Sequence, residues 1–206
     1  EIERREARLA AIREARERLE QRQREADLER GRSDDDDDRH PRGPDGKPKG
    51  GRYKREFGVP EDKAQENFTD PDSRIMKRAG GGFDPAYNAQ TAVDEAAHII
   101  VAAELDNVAP DANWLLPMIH AVGDNLGELP ELGLADAGYR SEDNLKNAPI
   151  EVVVALGREG KAHAEVDAVE YPHTAAMAAK LQTEEGRAAY RKRKWIAEPP
   201  NGWIKN

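Results

Sequence analysis

The sequence predicts a mixed α/β fold preceded by a long charged helix, and two observations lead to this class. Residues 1–30 are rich in Glu, Arg and Ala and contain neither Gly nor Pro, a composition typical of a helix. From residue 73 onwards short apolar runs predict strands. The later strands are separated by segments with helical spacing, as crossovers between parallel strands require.

Composition limits the size of the core and the classes of site. Of the 206 residues, 37% are hydrophobic and 35% are charged, so the core must be concentrated in one part of the chain. The chain has no cysteine, which excludes disulfides and thiolate metal sites and agrees with a cytoplasmic protein. No apolar run approaches the ~18 residues that span a membrane. The first residue is Glu1 rather than Met, so we expect a piece of a longer protein.

The helix predicted over residues 1–30 has two interpretations. Its apolar residues are separated by steps of seven or three residues: Ile2, Leu9, Ile12, Leu19 and Ala26. Arg5, Arg16 and Gln23 interrupt this seam, so a coiled coil would be weak. Opposite charges four residues apart could instead stabilise a solvated single helix. Both a partner-binding helix and a solvated one remain open.

Residues 31–60 are predicted to be a flexible linker, acidic and then basic. Asp34–Asp38 form an acidic run, and residues 39–55 are rich in Pro, Gly, Lys and Arg. Such a segment buries too little apolar area to offset the entropy lost on ordering. It could serve as a solubilising hinge, or its basic part could follow a nucleic-acid backbone.

The order of elements after residue 60 is read from apolar runs and capping residues. Strands are predicted at 73–77, 87–93, 99–105, 132–135 and 152–156. The Gly80–Gly82 run predicts a hairpin turn, and 111–122 has the apolar spacing of a helix. Residues 157–183 are expected to be irregular or partly helical, and Thr183 to cap a last helix.

Asp136 stands directly after the apolar run 132–135 and before a tight Ala-Gly turn. Ser141 is a suitable N-cap for a following helix, and Glu142 and Asp143 suit its dipole. Asp136 is therefore expected at the carboxyl end of a strand, where open α/β sheets expose their ligand sites.

A second acid, Glu198, lies within a basic segment that spans residues 190–205. Carboxylates that converge from different elements hold hard divalent cations, which accelerate phosphodiester cleavage. Because Pro199-Pro200 follows Glu198 and proline lacks the N–H that a helix needs, we expect the helix to break or restart there. The histidines, His98 among them, have no metal-ligand spacing.

Four motifs in order resemble the DDE transposases of bacterial insertion sequences. They are Phe68-Thr-Asp-Pro-Asp-Ser-Arg-Ile-Met-Lys77, Tyr87-Asn-Ala-Gln-Thr-Ala-Val-Asp94, Leu134-Ala-Asp-Ala-Gly-Tyr139 and Arg193-x4-Glu198-x6-Lys205. The resemblance covers roughly residues 60–206. It implies an RNase H-like catalytic domain over 61–206, a mixed sheet with flanking helices, truncated at its C-terminus.

The resemblance also implies the site. Asp136 corresponds to the second catalytic acid and Glu198 to the third, and together with a first Asp they would bind two Mg²⁺ ions, for which Mn²⁺ can substitute. Tyr190, Arg193 and Lys205 match the signature around the third acid and would contact DNA. The spacing from Arg193 to Glu198 is one residue longer than the commonest form.

The first acid remains open between three residues. Asp94 ends a predicted strand, but only one strand and one helix fit between it and Asp136. An RNase H-like sheet has two strands there. Asp70 satisfies that order if 73–77 completes the first strand, so we favour Asp70 over Asp94 and Asp72.

The function that the resemblance implies is metal-dependent cleavage and strand transfer at insertion-sequence ends, with DNA as partner and a homodimer on DNA. A truncated or inactive copy that binds DNA without cutting is one alternative. The other is a non-enzymatic interaction protein that uses the helix over 1–30.

Overall fold

The computed structural model describes residues 1–34, 41, 47, 51–78, 80–157 and 166–204. They belong to two compact units, Glu1–Ala86 and Tyr87–Asn206. Most of the central part of the predicted linker and residues 158–165 lie outside the described residues. None of the helices in the described ranges is long and apolar enough to cross a membrane.

The first unit begins with helix α1 (Ile2–Glu29), which confirms the predicted N-terminal helix. Ion pairs four residues apart lie along it, between Arg5 and Glu1 and between Arg16 and Glu20. Ile2 is 74% exposed. Because exposed pairs of this kind contribute only a few tenths of a kcal/mol each, packing at the C-terminal half of α1 must supply part of its stability.

That packing centres on Asp27, which is 1% exposed. Its carboxylate accepts hydrogen bonds from the Gly58 amide at 3.0 Å and the Arg32 guanidinium at 2.8 Å. Burial alone would raise the pKa of Asp27, but bonds from Gly58, Arg32 and Gln23 together lower it. Both ends of the segment predicted as a linker therefore contact α1 through polar groups. The division at residues 30 and 60 stays a prediction.

The first unit ends in a β-hairpin. Strand β1 (Arg74–Lys77) pairs antiparallel with β2 (Phe83–Ala86), and Gly81 and Gly82 between them have positive φ values of 92° and 85°. The predicted glycine turn is confirmed. β2 was not among the predicted strands, because Pro85 lacks the N–H of a regular ladder and argues against a strand in the sequence.

The second unit contains two strand pairs and four α-helices among the described residues. β3 (Asn88–Val93) pairs antiparallel with β4 (Ile100–Asp106), and β5 (Leu132–Ala135) pairs parallel with β6 (Glu151–Val154). The helices are listed in order: α2 (Leu115–Leu126), α3 (Glu142–Asn147), α4 (Pro172–Gln182) and α5 (Glu184–Ile204). This confirms the mixed α/β class and the crossover between the last two strands.

The core of the second unit lies between β6, α2 and α4. Val153 and Val154 are 1% and 0% exposed, and Val154 packs with Leu115, Ile119 and Met177. The resemblance implies one mixed sheet, whereas the described strands pair two by two. Four of these strands are short, since β1, β2, β5 and β6 have four residues each.

Candidate active site

Asp136 is the first residue after β5, at its carboxyl end, as predicted. Its Oδ1 accepts a hydrogen bond from the Gly138 amide at 2.8 Å, which closes a tight turn over Ala137–Tyr139. Ser141 then caps α3 by accepting from the Asn144 amide at 3.0 Å. The carboxylate is half-buried, so the turn fixes its position and leaves part of it open to solvent.

A second carboxylate reaches the same turn. A Cβ atom at Gly138 would lie 2.6 Å from Asp111 Oδ2 and 3.1 Å from Asp136 Oδ1. Real Cβ atoms do not approach other atoms as closely as 2.6 Å, so a larger residue at 138 would displace the Asp111 carboxylate. Asp111 was not predicted as a site residue. Its only signal in the sequence is its place after a strand.

Asp111 is oriented by two amides from β3. Its Oδ1 accepts from Gln90 Nε2 at 2.8 Å and from Asn88 Nδ2 at 2.7 Å. The Tyr139 hydroxyl donates to Gln90 Oε1, so Gln90 joins the two carboxylate-bearing segments. Gln90 is 1% exposed. A buried amide with both ends bonded holds its partners in one arrangement, since a lost bond would leave a buried polar group unsatisfied.

Asn144 also joins the segment after β4 to the turn after β5. Its side-chain nitrogen donates to the carbonyl oxygen of Ala112 at 2.5 Å and to that of Tyr139 at 2.7 Å. Asn144 is buried, so these bonds are shielded from water. The turn that carries Asp136 is thus tied to the segment after β4 through Gln90 and Asn144. We call these two residues with Asn88, Asp111 and Tyr139 the polar network.

The charge at this site changes the acidity of Tyr139. Burial, and then the negative charges of Asp111 and Asp136, raise the pKa of the Tyr139 hydroxyl to about 12. The folded pKa exceeds the ordinary value of 10.0. The contribution of the protonated Tyr139 hydroxyl to the stability of the fold is therefore complete below pH 10 and is lost as the pH rises through about 12. Around neutrality Tyr139 is a hydrogen-bond donor and not a base.

Glu198 lies on α5, a helix that Thr183 caps by accepting from the Gly186 amide at 3.0 Å. The prediction that Pro199-Pro200 breaks this helix was wrong, because α5 continues to Ile204. Pro200 leaves the Ile196 carbonyl without its usual donor, and His98 Nδ1 lies 3.3 Å from that oxygen. A side chain from outside the helix thus replaces a backbone bond.

Tyr190 and Arg193, two of the three residues predicted to contact DNA, lie among the described residues of α5. The Arg193 guanidinium carbon lies 5.4 Å from the centre of the Tyr190 ring, a cation–π arrangement. Arg193 Nε is buried and has no hydrogen-bond partner among the described residues. Lys205 lies outside the described residues.

The candidates for the first acid occupy turns in different units. In the first unit, the Asp70 carbonyl accepts from the Ser73 hydroxyl at 2.8 Å, immediately before β1. In the second unit, Asp94 directly follows β3, and its carboxylate accepts from the Ala97 amide at 2.7 Å. The described ranges hold no cluster of three or more metal-binding side chains.

Comparison with protein families identifies the family of this chain. The family described as the transposase DDE domain matches residues 55–206, which is most of the sequence. The chain belongs to the DDE transposase family. No curated protein and no solved structure matches it. Members of the DDE transposase family act on DNA and generally use divalent metal ions.

Proposed function

We propose that this chain cleaves DNA strands at the ends of an insertion sequence and joins the freed ends to target DNA. The proposal rests on the position of Asp136 in the fold. This residue stands at the carboxyl end of a parallel strand, fixed by the polar network, within the part of the chain that matches the transposase domain. Rigid placement of a reactive carboxylate is what positional catalysis needs.

Asp136 and Glu198 are the second and third acids of the proposed site, and Asp70 is the first. Their carboxylate oxygens are donors that Mg²⁺ prefers, and two Mg²⁺ ions, or Mn²⁺ in their place, complete the site. When bound, the metal ions activate the attacking oxygen and neutralise the charge on the leaving oxygen.

The reaction proceeds in two displacements at phosphorus. Water attacks first, a new P–O bond forms, and the bond to the 3′ oxygen breaks to free a 3′-hydroxyl. That hydroxyl then attacks a phosphodiester of the target and displaces its 3′ oxygen. Protein nucleophiles are not needed in either step.

Tyr190, Arg193 and Lys205 contact the DNA backbone in this proposal. The Arg193 guanidinium would form charge-assisted bonds to a phosphate. After a change of the Arg193 rotamer, the phosphate would also accept a hydrogen bond from Arg193 Nε, which has no partner among the described residues. A homodimer on DNA would hold the two ends together, and the reaction takes place in the cytoplasm.

The experiment measures nicking of supercoiled DNA that carries the insertion-sequence ends, with Mg²⁺ present. We expect the wild type to nick, Asp70→Asn to lose about a thousandfold or more in rate, and Asp94→Asn and Asp72→Asn to stay within a few-fold. Loss in Asp94→Asn alone would transfer the first acid to Asp94. A wild type that binds DNA but never nicks would contradict the proposal and favour an inactive copy.

A further inference from the structure

The proline pair in α5 leaves the helix short of two backbone donors just where Glu198 lies. Proline has no N–H, so Pro200 cannot bond to the carbonyl four residues earlier, at Ile196. Ile196 and Pro200 are both buried. A carbonyl orphaned in this way requires another donor for the helix to remain regular.

His98 supplies that donor from the turn between β3 and β4. Its Nδ1 lies 3.3 Å from the Ile196 carbonyl oxygen, and its ring meets Trp195 edge to face, with centroids 4.5 Å apart and planes at 77°. A carbonyl oxygen only accepts, so Nδ1 must carry the hydrogen. The Trp195 ring then limits how the imidazole can turn.

The backbone around His98 is arranged for this contact. His98 has a φ of 55°, in the left-handed region that favours glycine or asparagine, so a histidine there is strained. The turn is closed by bonds from the His98 amide to the Asp94 carbonyl and from the Ala97 amide to the Asp94 carboxylate. Lys192 on α5 also pairs with Glu95 of the turn at 2.8 Å.

We propose that His98 is a positioning residue for Glu198. Its imidazole replaces the backbone donor missing at Pro200, so that α5 continues past Ile196 and holds Glu198 in the helix register that packs α5 on β5, the strand that Asp136 directly follows. This inference rests on the proposed function. It adds a residue whose effect on the reaction is exerted through the helix and not through contact with DNA.

The test is a double-mutant cycle that combines His98→Asn with Pro200→Ala. Nicking of the DNA described above and thermal unfolding are measured for each variant. His98→Asn removes the imidazole but suits the left-handed backbone. We expect kcat to fall about tenfold, the equivalent of one net hydrogen bond, with KM for DNA unchanged. Pro200→Ala restores an N–H to the helix, so His98→Asn in that background should change kcat less than twofold. His120→Asn, an exposed histidine on α2, is the matched control.

Each outcome decides a separate point. Equal losses from His98→Asn in both backgrounds, in kcat and in melting temperature, would overturn the inference. A rise in KM with kcat unchanged would also overturn it, because His98 would then act as a DNA contact. A wild type that does not nick defeats the proposed function and the role in positioning Glu198. The melting temperatures would still show whether His98 replaces the donor at Pro200.

Discussion

Asp136→Asn is expected to reduce Mg²⁺-dependent nicking by about a thousandfold or more while leaving the free energy of unfolding almost unchanged. The amide oxygen of asparagine can still accept from the Gly138 amide, so the turn after β5 persists. What is lost is a negative oxygen ligand, and loss of metal-based charge stabilisation worth several kcal/mol corresponds to this factor.

The control for this prediction is Asp124→Asn, which removes the same charge from an exposed residue of α2. Initial nicking rates and urea unfolding of the three proteins should be measured side by side. If Asp136→Asn nicks at the rate of Asp124→Asn, then Asp136 is a structural capping residue and the active site lies elsewhere.

Gln90→Glu is expected to destabilise the protein by about 3 kcal/mol at pH 7, the largest stability effect that we predict. The substitution replaces the nitrogen that donates to Asp111 by an oxygen, at a buried position with a donor–acceptor distance of 2.8 Å. Two carboxylates then face each other and must share a proton, which raises the pKa of the pair.

The sign of the pH dependence makes this prediction specific. Since the pair holds its proton more tightly in the folded state, the destabilisation is full above the raised pKa and diminishes as the pH falls towards about 4. Gln90→Leu, which removes both bonds without adding charge, should cost about 2 kcal/mol at every pH. Gln182→Glu on the exposed end of α4 should cost little. A flat pH profile for Gln90→Glu would contradict the arrangement of the polar network.

Local signals in the sequence were enough to predict most elements and one part of the site. Ser141 and Thr183 cap α3 and α5 as predicted, because an N-cap is a contact between residues two or three apart. The position of Asp136 after β5 followed from an apolar run and a turn in the same way. Each of these features is determined by its own neighbours in the chain.

Features that depend on distant partners could not be predicted. Gln90 bonds to Asp111 and Tyr139, which lie 21 and 49 residues away, and nothing in the sequence around Gln90 marks it as buried and paired. The continuity of α5 is a similar case. The helix passes Pro199-Pro200 with a donor from His98, 98 residues earlier, so local rules for proline gave the wrong result.

The measurement that tests the account most directly is thermal unfolding during titration with Mg²⁺ or Mn²⁺. At a metal concentration ten times the Kd, binding stabilises the folded state by about 1.4 kcal/mol, and the melting temperature should rise by about 3 to 6 °C. We expect that rise to be lost in Asp136→Asn and in Glu198→Gln and kept in Asp124→Asn. A wild-type melting temperature that metal does not change, or a rise that survives in both acid variants, would contradict a metal site formed by Asp136 and Glu198.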